Sequence, residues 1–311
     1  MTTTAIGATA TRTAVVSFDQ VSKVYGDVRA VDGLTLDLHP GETVALLGPN
    51  GAGKSSTLDL LLGLRTADSG TVSLFGTTPQ GAIKAGRVGA MLQSGGLMED
   101  VTVEELVRLA CDLHPRPHPV GEVLARAGIA SIAGRMVNKL SGGQEQRVRF
   151  ALATAGANDL IVLDEPTTGM DVTARQAFWA TMREQAEQGR TVLFATHYLE
   201  EADAIADRVL VLHKGRLLAD GTAAEIKAKA GARRIAFELE GTIDRAALGA
   251  LPFLASLDVN GRRVRIQSHN ADATVHALYA LGLYPRELEV AGLGLEQAFV
   301  AITEAEEART A

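Results

Sequence analysis

The sequence predicts an α/β protein with a mixed-sheet core, a small antiparallel β subdomain, an inserted helical subdomain and a small C-terminal α+β domain. Three short apolar runs carry the core prediction: residues 43–47 (TVALL), 160–163 (LIVL) and 191–195 (TVLFA). Continuous apolar runs of this length are typical of strands buried on both faces of a parallel sheet. The chain of 311 residues has room for two domains at about 150 residues each.

The order of elements along the chain defines the first domain, for which we predict residues 14–228. A disordered tail, residues 1–13, precedes alternating segments broken by glycine over residues 15–38, which indicate small antiparallel strands. Residues 100–155 contain helix-like stretches and the Pro-rich break HPRPHP without a strand pattern, so we place a helical subdomain there. Residues 208–220 predict a hairpin that turns at Lys-Gly.

The pattern starts again near residue 233, and we predict a separate accessory domain over residues 233–311. Its elements follow the order β-α-β-β-α-β, which is typical of a ferredoxin-like fold. A fold of this kind does not by itself assign a function. We expect this domain to have a regulatory or dimer-supporting role. The predicted strands are residues 234–239, 253–259, 263–267 and 286–290, and the predicted helices are residues 243–251, 271–281 and 295–308.

Composition excludes several classes of protein. The 30 Lys and Arg residues against 37 Asp and Glu give a net charge of −7, which argues against a general nucleic-acid binder. The single cysteine, Cys111, excludes an intrachain disulfide. We expect no transmembrane helix, because the sequence lacks an apolar run of about 18 residues, and no secretory signal. Cys111, His114 and His118 have the spacing of metal ligands, but no fourth ligand is evident nearby in the sequence.

A glycine-rich segment directly after the TVALL run has the pattern G-x-x-x-x-G-K-S. In the order strand, loop, helix, this pattern predicts a phosphate-binding loop whose backbone N–H groups and helix N-terminus face the anion. Lys54 is predicted to reach the β- and γ-phosphates and Ser55 to ligate Mg²⁺. The predicted loop residues are Gly48, Pro49, Asn50, Gly51, Ala52, Gly53, Lys54, Ser55 and Ser56.

Polar side chains follow the other two apolar runs. Asp164 and Glu165 end the run LIVL, and His197 ends the run TVLFAT. Ligands of open α/β sheets lie at the carboxyl ends of the strands. We therefore expect Asp164 to bind the metal and Glu165 to polarise the attacking water, with the two side chains pointing in opposite directions as strand alternation requires. His197 is expected to hydrogen-bond a γ-phosphate oxygen; an ordinary surface histidine is the alternative.

A further motif, LSGGQ at residues 140–144, resembles the signature of the ATP-binding cassette (ABC) ATPases. The resemblance covers about residues 14–225, with the motifs in the family's order. It implies that Tyr25 stacks on adenine and that Asp171 crosses a dimer interface. It also implies that Gln93 senses Mg²⁺ and the attacking water and flexes toward a membrane partner.

The same resemblance implies a site shared between two subunits. In this family the signature segment of one subunit, here Ser141, Gly142, Gly143 and Gln144, touches the γ-phosphate that the other subunit binds. ATP, with Mg²⁺ held by Ser55, Gln93 and Asp164, then joins two copies, and hydrolysis releases them. The segment precedes a stretch of good helix formers, so it is a second helix start suited to an anion.

Other features of the sequence indicate which kind of ABC protein it resembles. It contains one cassette and no coiled coil, and the tail GLEQAFVAITE resembles the C-terminal extension of exporter subunits of the daunorubicin-resistance type. This resemblance implies an ATPase subunit at the cytoplasmic face of a membrane, with a separate transmembrane permease and a second ATPase subunit. A soluble ABC ATPase with cytosolic partners and a nucleotide-sensing regulator remain alternatives. Drug, lipid, polysaccharide and peptide substrates all remain open.

Overall fold

The computed structural model describes residues 13–93, 95–229, 231–239 and 244–310. The chain divides into two compact units between Asp220 and Gly221, a few residues before the predicted boundary at 228–233. Residues 1–12 of the predicted tail, residue 243 of a predicted helix and residue 311 lie outside the described residues. Within the described ranges, no helix combines the length and the apolar character that a membrane span requires.

The first unit contains two sheets. Its described strands are β1 (Val16–Tyr25), β2 (Val28–Leu38), β3 (Thr43–Leu47), β4 (Ser69–Leu74), β5 (Val88–Met91), β6 (Leu160–Asp164), β7 (Thr191–Thr196), β8 (Arg208–His213) and β9 (Arg216–Gly221). One sheet has the order β5-β6-β7-β3-β8-β9 and the other the order β2-β1-β4. This arrangement confirms the predicted mixed-sheet core and antiparallel subdomain.

The three apolar runs form the centre of the larger sheet. Strands β3, β6 and β7 are buried along their whole length, and β3 pairs with β7, and β6 with β7, in parallel. In this register Leu47 lies beside Thr196, and Asp164 beside Ala195. The carboxyl ends of the three strands therefore meet at one edge of the sheet, where the predicted site residues follow.

The antiparallel sheet shares its core with the parallel one. Strand β1 pairs with both β2 and β4, and its inward side chains Val16, Phe18 and Val21 are fully or almost fully buried. They belong to the same apolar cluster as Leu46 of β3 and Leu212 of β8. This packing fixes the β1–β2 hairpin against the sheet that carries the phosphate loop.

Helices cover the parallel sheet and form the inserted subdomain. Those of the first unit are α1 (Lys54–Leu61), α2 (Pro79–Lys84), α3 (Val103–Leu113), α4 (Val120–Arg126), α5 (Gly142–Ala153), α6 (Val172–Glu187) and α7 (Leu199–Ile205). A row of aromatic rings joins the subdomain to the sheet. Phe150 of α5 lies 5.1 Å from Phe178 of α6, and Trp179 of α6 lies 4.8 Å from Phe194 of β7.

The second unit is an α+β body with its own core. Its described elements are α8 (Ala223–Lys229), β10 (Arg233–Glu238), α9 (Arg245–Gly249), β11 (Leu254–Asn260), β12 (Arg263–Ser268), α10 (Ala271–Ala280), β13 (Arg286–Gly292) and α11 (Leu295–Thr310). The strands form an antiparallel sheet in the order β11-β12-β10-β13. Buried side chains such as Phe237, Ile266 and Leu278 fill the space between this sheet and its helices.

Candidate functional site

The glycine-rich segment forms a tight loop between β3 and α1. Gly53 has a φ of 101°, which only glycine adopts readily. A Cβ there would lie 2.2 Å from the carbonyl oxygen of Ala30, and a Cβ on Gly48 would lie 2.7 Å from that of Leu212. The loop is thus pressed against β2 and β8, and larger residues at either glycine would push it away from the sheet.

Lys54 is the first residue of α1 and is only 8% exposed. Its Nζ donates hydrogen bonds to the carbonyl oxygens of Gly48, at 2.7 Å, and Pro49, at 3.3 Å. Burial lowers the pKa of Lys54, while the charges of Glu165 and Asp164 oppose that shift. The ammonium group therefore spans the loop and faces two carboxylates across the cavity, which is a suitable position for a phosphate.

Ser55 and Asp164 come together although they lie far apart in the sequence. Ser55 Oγ donates to Asp164 Oδ2 at 3.1 Å. The other carboxylate oxygen, Oδ1, is buried and has no hydrogen-bond partner among the described residues. Burial raises the pKa of Asp164, and the nearby Glu165 adds to that shift. A hydroxyl beside an unsatisfied carboxylate oxygen is a donor set that suits Mg²⁺, which prefers oxygen ligands and usually binds few protein carboxylates.

Glu165 lies just beyond β6 and pairs with His197. Glu165 Oε2 is 2.7 Å from His197 Nδ1, and Glu165 is 8% exposed. Its φ is +51°, in the left-handed region. The expectation that strand alternation separates Asp164 and Glu165 is therefore wrong. Strand β6 ends at Asp164, so alternation does not extend to Glu165, and both carboxylates face the same cavity.

The loop, the carboxylates and the histidine line one open cavity of about 640 Å³. The predicted site residues that line it are Pro49, Asn50, Gly51, Ala52, Gly53, Lys54, Ser55, Ser56, Gln93, Asp164, Glu165 and His197. Three further lining residues, Val28, Ala30 and Thr168, were not predicted. Val28 and Ala30 follow Tyr25 on the hairpin and Thr168 follows Glu165, so proximity in sequence is the signal that could have indicated them.

Tyr25 lies at the edge of this region, at the end of β1. It pairs with Val28 of β2, which lines the cavity. Its ring is 39% exposed, with Lys23 Nζ 5.6 Å from the ring centroid. Tyr25 is therefore partly exposed and lies next to a residue of the cavity lining.

The signature segment lies apart from the cavity, at the start of α5. Ser141 is the N-cap: its Oγ accepts from Gln144 N at 3.4 Å, and its own N–H donates to Gln144 Oε1 at 3.1 Å. A Cβ on Gly142 or Gly143 would meet no described atom within 4 Å. The segment is thus a helix start with an open surface, and its glutamine acts within the capping box.

Asp171 lies directly before α6, at the end of the loop that connects Glu165 to this helix. Its Oδ1 accepts from Ala174 N at 2.7 Å, which makes it the N-cap. Asp171 does not line the described cavity. The predicted residues Tyr25, Gly48, Ser141, Gly142, Gly143, Gln144 and Asp171 are therefore outside the cavity lining of the described chain.

Cys111, His114 and His118 do not converge on a common point. His114 Nδ1 accepts from Arg116 N at 3.0 Å, and its Nε2 is 3.2 Å from Asn158 Nδ2. His118 Nε2 lies 3.2 Å from Arg190 Nη2. The ring nitrogens thus have separate polar neighbours, and the described residues contain no cluster of three metal-ligating side chains.

Residues 31–168 match the family model described as ABC transporter. The chain is 40% identical over 215 residues to the Nod factor export ATP-binding protein I of Burkholderia pseudomallei (strain 1710b), covering 67% of this chain and 71% of that protein. The chain belongs to the ABC transporter family. This cassette is also 37% identical over 231 residues to the daunorubicin/doxorubicin resistance ATP-binding protein DrrA of Streptomyces peucetius, covering 72% and 70% of the two chains.

Solved structures agree with this assignment. The cassette is similar to an ATP-binding subunit of an ABC transporter, with a TM-score of 0.63 and 29% identity over 70% of this chain and 93% of that chain. It is also similar to a dimeric ATP-binding cassette in a post-hydrolysis state bound to ADP and phosphate. The TM-score is 0.62 and the identity is 26%, over 67% of this chain and 98% of that chain. The protein is thus an ABC ATPase with the cassette fold, and ATP is its nucleotide.

Proposed function

We propose that this chain is the ATP-hydrolysing subunit of an exporter and that it drives a separate transmembrane permease. The observation that carries ATP hydrolysis is the convergence of the phosphate loop, the Ser55–Asp164 pair and the Glu165–His197 pair on one cavity. The similarity to ATP-binding proteins named for Nod factor export and daunorubicin resistance supports the export role. These groups come from three adjacent strand ends. They supply a phosphate cradle, oxygen ligands and a carboxylate base in one place.

ATP binding is assigned to the loop and the hairpin. The backbone N–H groups of residues 48–56 and the N-terminus of α1 would face the phosphates, and Lys54 would exchange its bonds to Gly48 and Pro49 for phosphate oxygens. Tyr25 would stack on the adenine, since its exposed ring adjoins Val28 at the cavity edge.

Mg²⁺ is assigned to oxygens of Ser55, Asp164 and Gln93, of which the first two are already hydrogen-bonded to each other. Bound there, the ion would neutralise charge on the β- and γ-phosphates. The buried Oδ1 of Asp164, which has no described partner, supports this assignment. Gln93 supports it less directly: it is exposed and lines the same cavity.

Hydrolysis is assigned to Glu165. Its carboxylate would accept a proton from a water molecule whose oxygen attacks the γ-phosphorus. The bond between that phosphorus and the β–γ bridging oxygen would then break, which gives ADP and phosphate. As the base, Glu165 would act as a carboxylate that only accepts hydrogen bonds, so His197 would donate to it from Nδ1 and orient it.

A second copy of the chain would complete each site. The open helix start at Ser141, Gly142, Gly143 and Gln144 would contact the γ-phosphate bound by the partner, and Asp171 would lie at the interface. Cassettes of this family dimerise and pair with transmembrane subunits. We infer a homodimer docked on a permease at the cytoplasmic face of a membrane. By name, one relative serves Nod factor export and another daunorubicin resistance, which supports a drug, a lipid or another hydrophobic compound as cargo.

Two variants test the assignment by separating binding from hydrolysis. Lys54→Ala should weaken ATP binding about 10-fold or more, because charged hydrogen bonds to the phosphates are lost. Glu165→Gln should bind ATP normally but hydrolyse it at least about 100-fold more slowly, because the base is removed. Isothermal titration and phosphate release measure the two steps, and the exposed Lys84→Ala is the matched control. Normal turnover by Glu165→Gln would contradict the assignment of the base.

A further inference from the structure

Glu201 is a buried carboxylate outside the cavity lining. It lies in the first turn of α7 and is 5% exposed. Removing a carboxylate from water is costly unless hydrogen bonds and an opposite charge replace the solvent. The contacts that compensate Glu201 therefore indicate what this residue holds in place.

Two threonine hydroxyls donate to the two oxygens of Glu201. Thr167 Oγ1 lies 2.6 Å from Oε1, and Thr196 Oγ1 lies 3.2 Å from Oε2. Thr167 is two residues after Glu165, and Thr196 is the residue before His197. One carboxylate thus connects the segment that carries Glu165 to the strand end that carries His197.

Arg175 provides a second connection to the same pair. Its Nε lies 3.3 Å from Glu201 Oε1, and its guanidinium carbon lies 4.6 Å from the centroid of the Tyr198 ring. The Tyr198 ring in turn lies 4.1 Å from the ring of His197. Glu201 thus forms an ion pair with the cation that packs against Tyr198, and Tyr198 packs against the imidazole.

The backbone at Glu165 needs such support. Its φ of +51° is unusual for a residue with a side chain, and such conformations persist only where the surrounding structure imposes them. The described hydrogen bonds close by are those from Glu165 N to Ala195 O, at 2.9 Å, and from Thr168 N to Glu165 O, at 3.3 Å. The hydrogen bond from Thr167 to Glu201 anchors the short segment between Glu165 and Thr168.

We propose that Glu201 is a positioning residue that holds Glu165 and His197 in contact for ATP hydrolysis through Thr167, Thr196 and Arg175. The inference rests on the proposed function, in which Glu165 is the base. It predicts a specific kinetic effect. In the proposed function ATP is held mainly by the loop, α1 and Tyr25, and Glu201 does not line the cavity, so loss of Glu201 should reduce kcat and leave KM nearly unchanged.

The test compares ATPase kinetics of full-length Glu201→Ala with those of Glu200→Ala, which removes an exposed carboxylate from the same helical turn. Glu201→Ala should lower kcat about 10-fold or more, with KM for ATP within about threefold of wild type. Glu201→Gln retains one acceptor for a threonine hydroxyl and should recover part of kcat. Thermal unfolding of each variant separates a catalytic defect from loss of folded protein.

A double-mutant cycle adds a readout that a purely structural role would not change. If Glu201 acts through the histidine, Glu201→Ala should lower kcat less in a His197→Ala background than in wild type. If Glu201→Ala does not fold, the same kinetics are measured on Glu201→Gln and Thr167→Val. Both variants should have a lower kcat than wild type and an unchanged KM. Folded variants with the kcat of Glu200→Ala, or fully additive effects with His197→Ala, would overturn the inference. A wild-type protein without ATPase activity would instead refute the proposed function.

Discussion

At the scale of single residues, Asp164 carries opposing demands of stability and function. Its carboxylate is 5% exposed, one oxygen has no partner in the described chain, and Glu165 follows it directly. Burial therefore raises its pKa above the usual 3.8, so ionisation of this group destabilises the folded chain in the absence of ligand. Active sites often retain such groups at the expense of stability.

The Asp164→Asn variant, studied without nucleotide, shows whether the buried charge destabilises the folded chain. The amide oxygen still accepts from Ser55, and the buried charge is gone, so the variant should be more stable at pH 7.5, by about 2 °C or more in Tm. The unfolded chain loses its proton near pH 3.8, whereas the folded chain loses it at higher pH. The destabilisation of the wild-type protein thus grows as the pH rises between the unfolded-state and folded-state pKa of Asp164. The difference in Tm between Asp164→Asn and wild type should therefore be smaller at pH 4.5 than at pH 7.5.

Thermal and urea unfolding at both pH values measure this effect, with the exposed Asp112→Asn as the control. The same variant should lose Mg²⁺-dependent ATP hydrolysis. An Asp164→Asn protein less stable than wild type at pH 7.5 would show that the buried charge is compensated in the folded state.

The residues of the candidate site could be predicted from the sequence, but the contacts between their side chains could not. The G-x-x-x-x-G-K-S spacing and the polar residues after strands indicated Lys54, Asp164, Glu165 and His197 from sequence, because strand ends converge in this kind of sheet. The contact between His197 and Glu165 depends on a positive φ at residue 165. That φ could not be predicted from the residue type, because a positive φ is uncommon for a residue with a side chain.

At the scale of elements, the start of α5 combines a cap with an open surface. Ser141 and Gln144 satisfy each other's backbone N–H groups, and the two glycines between them leave the helix end uncovered. A helix N-terminus attracts anions through its dipole and its remaining N–H groups. Phe150, on the same helix, packs against α6, so α5 is also tied to the element that Asp171 begins.

An arginine at this start should separate dimerisation from binding. In a Glu165→Gln background, Ser141→Arg should prevent ATP-dependent dimer formation because the side chain fills the open surface, while ATP affinity of the single subunit is retained. Light scattering with ATP and Mg²⁺ measures the dimer. Ser141→Ala controls for the lost cap, worth about 1 kcal/mol, and Ser131→Arg controls for the added charge. A normal dimer in Ser141→Arg would exclude a role across subunits.

The sequence pattern predicted some strands of the first unit clearly and others not at all. Continuous apolar runs made β3, β6 and β7 clear, and the Lys214–Gly215 turn, where both φ values are positive, marked the β8–β9 hairpin. Strands β4 and β5 were missed. Strand β5 has four residues and only two of them are buried, and most of β4 is exposed or half-buried. Pairing with neighbours, rather than side-chain pattern, determines such short strands.

At the scale of the whole molecule, the chain joins a cassette to a second α+β unit with a separate core. The element order of the second unit was predictable from alternation and turn residues, since Asn260 ends β11 and Gly261 begins the turn to β12. Its role was not predictable, because the same architecture supports many functions. We propose that it regulates or supports the dimer.

Deletion of residues 233–311 tests this role. The cassette retains its own apolar core and should remain folded and bind ATP, while the fraction of ATP-trapped dimer in a Glu165→Gln background should fall. Circular dichroism controls for folding, and light scattering measures the dimer. An unchanged dimer together with unchanged transport would exclude a regulatory or dimer-supporting role.

The most direct test of the export proposal is a search for the membrane partner. Tagged Glu165→Gln protein, which should remain closed on ATP, would be purified from gently solubilised membranes with ATP and Mg²⁺, and Lys54→Ala would be the parallel control. We expect a polytopic membrane protein to co-purify at equal stoichiometry with the tagged protein. Recovery of soluble partners only, or of the cassette alone, would contradict the exporter function and leave a cytosolic ABC ATPase.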